Sequence, residues 1–262
     1  MFEFHAVAAA MYLVAFLSCT LGVLQLFPRG LQLSAWLLGA GSFFHTLSLY
    51  SLHYRDPAPS LEEPVLVFSL VAWVVSVASC LFLARGRLAG LVVLVSPIAF
   101  SAVSLVIIRL PMLESGEGAP HAGWSHLHVL ISSAGIGLLG ISGLAGALYL
   151  WRHRDLKKKN PHISSFAPSL EALEKLGLLA LCVGFLCMTF GVLTGLFWTQ
   201  AVSGKFWSYT EHGLATIFTW VIYVSLLVGR LGMSMSSLKL SIGSFVGFLF
   251  LLLTWLGSEV IR

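Results

Sequence analysis

Three groups of residues in this sequence have types and spacings that could do chemistry beyond packing. His45 stands inside an apolar run about eight residues from its end, roughly 12 Å along a helix, with Gly41 one turn before it and Thr46 after it. An ionisable side chain at such depth faces a cavity or a partner, so His45 has two readings: a packing histidine hydrogen-bonded to a neighbouring helix, or a metal or haem ligand. His128 sits about one turn into a later apolar run, and His126, two residues earlier, lies on nearly the opposite helix face. The third group is the segment from Ser203 to Gly213, followed by Thr219 and Trp220, which brings Phe206, Trp207 and Tyr209 into four positions. Such aromatics serve as anchors at a membrane boundary. A glycine-opened aromatic loop near histidines also suits a flat aromatic ligand whose iron takes axial imidazoles.

The elements that position these groups are membrane helices. The chain has 262 residues, 58% hydrophobic and 10% charged, against about 25% charged in an ordinary soluble domain. About 20 apolar residues in a helix cross a hydrocarbon layer of about 30 Å, because the backbone must satisfy its own hydrogen bonds there. Apolar runs cover 6–27, 31–52, 65–84, 88–108, 127–151, 176–198, 214–228 and 240–256. The expected fold is therefore an all-α integral membrane protein, a bundle of about eight transmembrane helices forming a single domain over 1–262. No positively charged leader precedes the first run, which reads as a retained helix and not as a signal peptide.

Basic residues give the orientation. Arg29, Arg85, Arg87, Arg152, Arg154, Lys157, Lys158, Lys159, Lys175, Arg230 and Lys239 fall on one side of the eight-span plan, leaving Arg55, Arg109, Lys205 and Arg262 on the other. The richer side is cytoplasmic, so both termini face outward. His5, His45, His53, His121, His126, His128 and His212 then gather in the outer half or the outer loops, and His153 and His162 lie inside. The basic stretch from Arg152 to Lys159 reads as a topology anchor that touches anionic lipid, with no nucleic-acid partner.

Cys19, Cys80, Cys182 and Cys187 lie in apolar runs, where a thiol is a small hydrophobe, and no CxxC or CxxCH occurs. No nucleophile and base pair, no two-carboxylate arrangement and no internal repeat stands out, which disfavours a stand-alone enzyme and an inverted-repeat transporter. The fifth run carries Gly137, Gly140, Gly143 and Gly146, and the sixth Gly191-x-x-x-Gly195, small residues that let helices approach in lipid. The longest connections are 54–64, 109–125, 152–174 and 199–213. Within them 160–168 reads as a linker, and Ser169 with Glu171 and Glu174 caps a lead-in to the sixth run.

The loop and the histidine before it resemble those of the haem-handling cytochrome c assembly proteins, the CcsA, CcmC and HemX-like group. That family carries a loop of the form W-G-x-x-W-x-W-D running into a helix with Thr-Trp. Gly204, Trp207, Thr219 and Trp220 match, Tyr209 replaces the last tryptophan, Ser203 stands for the first and Thr210 for the aspartate. Trp124-x-x-x-His128-Val129, followed by a small-residue-rich helix ending Leu148-Tyr149-Leu150, resembles the family segment bearing the first outer haem-ligating histidine. The resemblance covers roughly Trp124 to Leu256, about half the chain, which makes 124–262 a haem-handling core and leaves 1–123 as the first four helices.

The resemblance implies a membrane protein of cytochrome c biogenesis, in a bacterial inner membrane, that holds haem b non-covalently on the outer side. His128 and His45 are the implied iron ligands, with His53 and His212 in reserve, and Trp124, Gly204, Trp207 and Tyr209 line the macrocycle. Full family members place a second outer histidine after the loop. None follows His212 here, which points to the shorter HemX-like branch. The alternatives are a HemX-like regulator or scaffold of haem biosynthesis and a small-solute transporter. Implied partners are haem, the bilayer, and a second cytochrome c assembly protein or a haem-biosynthesis protein.

Overall fold

A computed structural model describes residues 2–54, 59–83, 90–112, 122–158, 168–206 and 211–260. These form eight α-helices: α1 Phe2–Val23, α2 Gly30–His53, α3 Pro64–Leu83, α4 Gly90–Arg109, α5 Ala122–Lys157, α6 Leu170–Ser203, α7 Glu211–Gly232 and α8 Ser237–Val260. A single 3-10 turn, Leu110–Met112, extends α4. Seven helices are long and apolar enough to cross a membrane. The exception is α2, whose Gly30, Ser34, Gly41, Ser42, His45 and Ser48 lower its hydropathy. Those residues recur at helical spacing and are all buried, so the polar stripe faces protein while Trp36 and Phe43 face outward. Its 24 residues still reach about 36 Å.

The helices fall into two compact units, α1 to α4 and α5 to α8. In the first, α1 packs on α2 and α4, and α3 packs on α4 and α2. His45 is fully buried there. Its Nδ1 lies 3.2 Å from the Tyr12 hydroxyl and its Nε2 2.9 Å from the Ser69 hydroxyl, which ties α2 to α1 and α3. Trp73 adds a second α2–α3 link by donating its Nε1–H to Thr46 Oγ1 at 2.8 Å. Replacing one partner of a buried hydrogen-bonded pair leaves the other without its bond. Ser69→Ala should therefore lower stability by about 1 kcal/mol, read as a lower midpoint in detergent thermal unfolding.

In the second unit, α5 pairs with α6 and α8, and α7 packs on both α8 and α6. The 36 residues of α5 and 34 of α6 correspond to about 54 Å and about 51 Å, well beyond an apolar layer of about 30 Å. The run of charges from Arg152 to Lys157 therefore ends the apolar stretch without ending the helix. What the sequence suggests as a connection over 152–174 is helical up to Lys157 and again from Leu170. Ser169 caps α6, its Oγ accepting from the Ala172 N–H at 3.2 Å. The two glutamates serve elsewhere: Glu171 pairs with Lys175 at 2.7 Å, and Glu174 with Arg230 of α7. At the other end α6 runs to Ser203, and Gly204 closes it at φ 72°, a left-handed conformation that glycine adopts without strain.

Candidate functional site

The most complete chemistry in the second unit lies along the antiparallel pair α5–α6. On α5, Trp124, His128, Ser132 and Gly135 succeed one another at spacings of three and four and so share a face. Met188, Gly191, Gly195 and Trp198 do the same on α6. The two faces meet rung by rung. A Cβ on Gly135 would lie 2.8 Å from the Met188 backbone nitrogen, one on Gly191 2.6 Å from Ser132 Oγ, and one on Gly195 2.9 Å from His128 Cε1. Further along, Gly184 meets the Leu139 backbone, and Ser142 donates to the Gly177 carbonyl at 2.9 Å. The close approach expected of small residues is real, and at Gly191 and Gly195 it is made against the side chains of Ser132 and His128.

The half-buried His128 ring sits in this seam. Its Nδ1 is 2.9 Å from the Gly191 carbonyl oxygen and 3.4 Å from Ser132 Oγ. A carbonyl can only accept, so Nδ1 carries the proton, and in the neutral ring the lone pair belongs to Nε2. The Trp198 ring lies alongside, its centroid 5.7 Å away and its plane tilted by 30°. One turn nearer the start of α5, Trp124 stacks on Phe197 at 5.3 Å, and Phe197 meets Phe206 edge-on at 6.4 Å. An imidazole with Nδ1–H anchored to a backbone carbonyl is the common arrangement of a metal-ligating histidine. The aromatic flank provides apolar surface of the kind a macrocycle covers.

The other expected site residues divide. Trp124 belongs to this cluster, and Gly204 opens the following loop. Trp207 and Tyr209 lie outside the described residues, as does the side chain of His212 at the start of α7. His53 is exposed at the end of α2, edge-on to Tyr54 at 5.3 Å. His45 belongs to the first unit, with both ring nitrogens engaged, and of its two readings the geometry favours the packing histidine. To reach a metal it would have to give up Tyr12 or Ser69. Among the described residues no three His, Cys, Asp or Glu side chains converge as a metal site, and the described cysteines are all unbridged. Trp220 donates its Nε1–H to Thr189 Oγ1 at 3.0 Å and packs on Phe185, binding α7 to α6.

Sequence reasoning missed Gly191, Gly195, Phe197 and Trp198 as parts of the site. Gly191, Gly195 and Trp198 at spacings of four and three mark one face of α6, and that signal was available.

Residues 61–262 match the family model described as cytochrome c assembly protein. The chain belongs to the cytochrome c assembly protein family. The matched stretch holds α3 to α8, and with them His128 and the α5–α6 seam, whereas His45 lies outside it. Relatives include three proteins named cytochrome c biogenesis protein CcsA. That of Cyanidium caldarium is 22% identical over 233 residues, 76% of each chain. That of Guillardia theta is 24% identical over 186 residues, 63% of this chain and 61% of the relative. That of Chlamydomonas reinhardtii is 26% identical over 175 residues, 64% of this chain and 48% of the relative. The aligned stretches thus take in from about half to three quarters of these relatives.

Proposed function

We propose that this cytochrome c assembly family member is a haem-handling membrane protein of cytochrome c biogenesis, with His128 Nε2 as an axial ligand to haem b held without covalent attachment. The observation that carries the proposal is the hydrogen bond from His128 Nδ1–H to the Gly191 carbonyl, which leaves the lone pair on Nε2. Family membership and the CcsA relatives support the haem-handling role. The iron of a bound haem would supply a coordination position for an imidazole. The chain's own residues hold that imidazole and provide the apolar flank of Trp124, Phe197 and Trp198, with Gly204, Trp207 and Tyr209 as the loop over it.

His212 is the reserve for the second axial position, since it stands at the start of α7 directly after that loop. His45 is assigned to packing. The outer location of the loop rests on the concentration of basic residues at the opposite helix ends. Family membership also supports a partner among the membrane components of cytochrome c assembly. Holding and presenting haem, and not a bond change carried out alone, is the role we assign to the placed imidazole.

Protein purified in detergent from haem-replete cells should show a Soret band, and treatment with alkaline pyridine should release the pigment as haem b. Protein that carries no haem and takes up none on titration with haemin would refute the proposal. His45→Ala should keep the Soret band while lowering thermal stability. Loss of haem from His45→Ala as complete as from His128→Ala would return His45 to the ligand set.

A further inference from the structure

Gly191-x-x-x-Gly195 does more than bring two helices together. A Cβ at Gly195 would stand 2.9 Å from His128 Cε1 and 3.0 Å from its Nδ1, inside the contact distance that real Cβ atoms keep. The ring therefore occupies the volume a side chain would take. Four residues earlier, the Gly191 carbonyl is the acceptor for the ring's Nδ1–H, and it also accepts from Thr194 Oγ1 at 2.9 Å. Three residues later, Trp198 flanks the ring. Acceptor, vacant volume and flank lie on one face of α6, and together they constrain the ring's position, tilt and tautomer.

We propose that Gly195 is the positioning residue for the His128 ligand: its missing side chain lets the imidazole settle against α6 with Nδ1–H on the Gly191 carbonyl, so that Nε2 is presented to iron. This rests on the haem-handling reading above and deepens it. A methyl at 195 drives the ring away from α6 and breaks the Nδ1–H bond. The imidazole then loses both the bond that fixes its tautomer and the bond that strengthens its donation to a metal, and outer-shell partners of this kind are worth about 10–100-fold in metal affinity. A weaker donor also holds the oxidised iron less well, so the midpoint potential should rise.

The test uses the full chain in detergent or nanodiscs. In apoprotein labelled with 15N-histidine, the His128 resonances, assigned by their absence in His128→Ala, should report the Nδ1–H tautomer in wild type. Gly195→Ala should shift them, bind haemin about tenfold more weakly or worse, and raise the midpoint potential of what it binds. Gly177→Ala is the control, since its added Cβ would meet Ala145 at an ordinary 3.7 Å, and it should match wild type in all three readouts.

An Nε2–H tautomer in wild type would overturn the proposal even should Gly195→Ala fail to fold. So would Gly195→Ala with wild-type resonances, affinity and potential while His128→Ala loses haem. Haem binding that survives His128→Ala undiminished would instead remove the haem-ligand reading itself, and the positioning role with it.

Discussion

His128→Ala should reduce haem affinity by more than about tenfold, measured by haemin titration of the apoprotein and by the haem content of the purified variant. The magnitude follows from what is lost. Removing a mere outer-shell partner of a metal ligand costs about 10–100-fold in affinity, and here the coordinating atom itself disappears. The hydrophobic contribution of Trp198, Phe197 and Trp124 remains, so residual weak binding with an altered Soret position is expected in place of complete silence. Folding should be nearly unaffected. The ring is only half-buried, and the Gly191 carbonyl it binds keeps the Thr194 hydroxyl as a donor. A thermal midpoint close to wild type together with lost haem would separate a ligand from a structural residue.

A large effect on stability should come at the contact of α5 with α8. A Cβ on Gly146 would lie 2.5 Å from the Ser241 carbonyl oxygen and 3.3 Å from its carbon. Both are backbone atoms, so no side-chain rotation relieves the overlap, and α8 must move as a body. Gly146→Val adds a branched side chain where even one carbon does not fit. Overpacking of this kind costs about 1–3 kcal/mol, and backbone contact puts this case at the upper end. The variant should give a clearly lower thermal midpoint and less monodisperse protein on size exclusion. Gly39→Val on α2 is the comparison, since a Cβ there has nothing within 4 Å, and its midpoint should stay near wild type. Equal loss in both variants would mean that helix propensity, and not α5–α8 packing, sets the cost.

The helices were legible in the sequence because each crossing requires a long apolar run whatever its neighbours do. The helix ends were less so. Hydropathy falls at Arg152, yet charged side chains in water do not interrupt backbone hydrogen bonding, and α5 continues to Lys157. Ser169 was readable as a cap because its role depends on residues three positions away. Glu174 was not, because its partner Arg230 is on another helix. The same distinction runs through the site. His128 stood out by residue type and by the residues around it. Its cradle did not, because Gly191-x-x-x-Gly195 says that something approaches closely without saying what, and only the α5–α6 register supplies the imidazole. His45 left two readings open from sequence, since burial of an imidazole is equally compatible with a ligand and with a satisfied polar network. The hydroxyls of Tyr12 and Ser69, distant in sequence, weigh toward the network.

The most direct measurement of the central claim is chemical rescue at position 128. His128→Gly leaves a space the size of an imidazole beside Gly195 and Trp198. Adding free imidazole to this variant in the presence of haemin should restore the wild-type Soret position and tighter binding, with a saturable dependence on imidazole concentration. A variant that already binds haem as wild type does, or one whose spectrum imidazole leaves unchanged, would contradict the assignment of His128 Nε2 as the haem ligand.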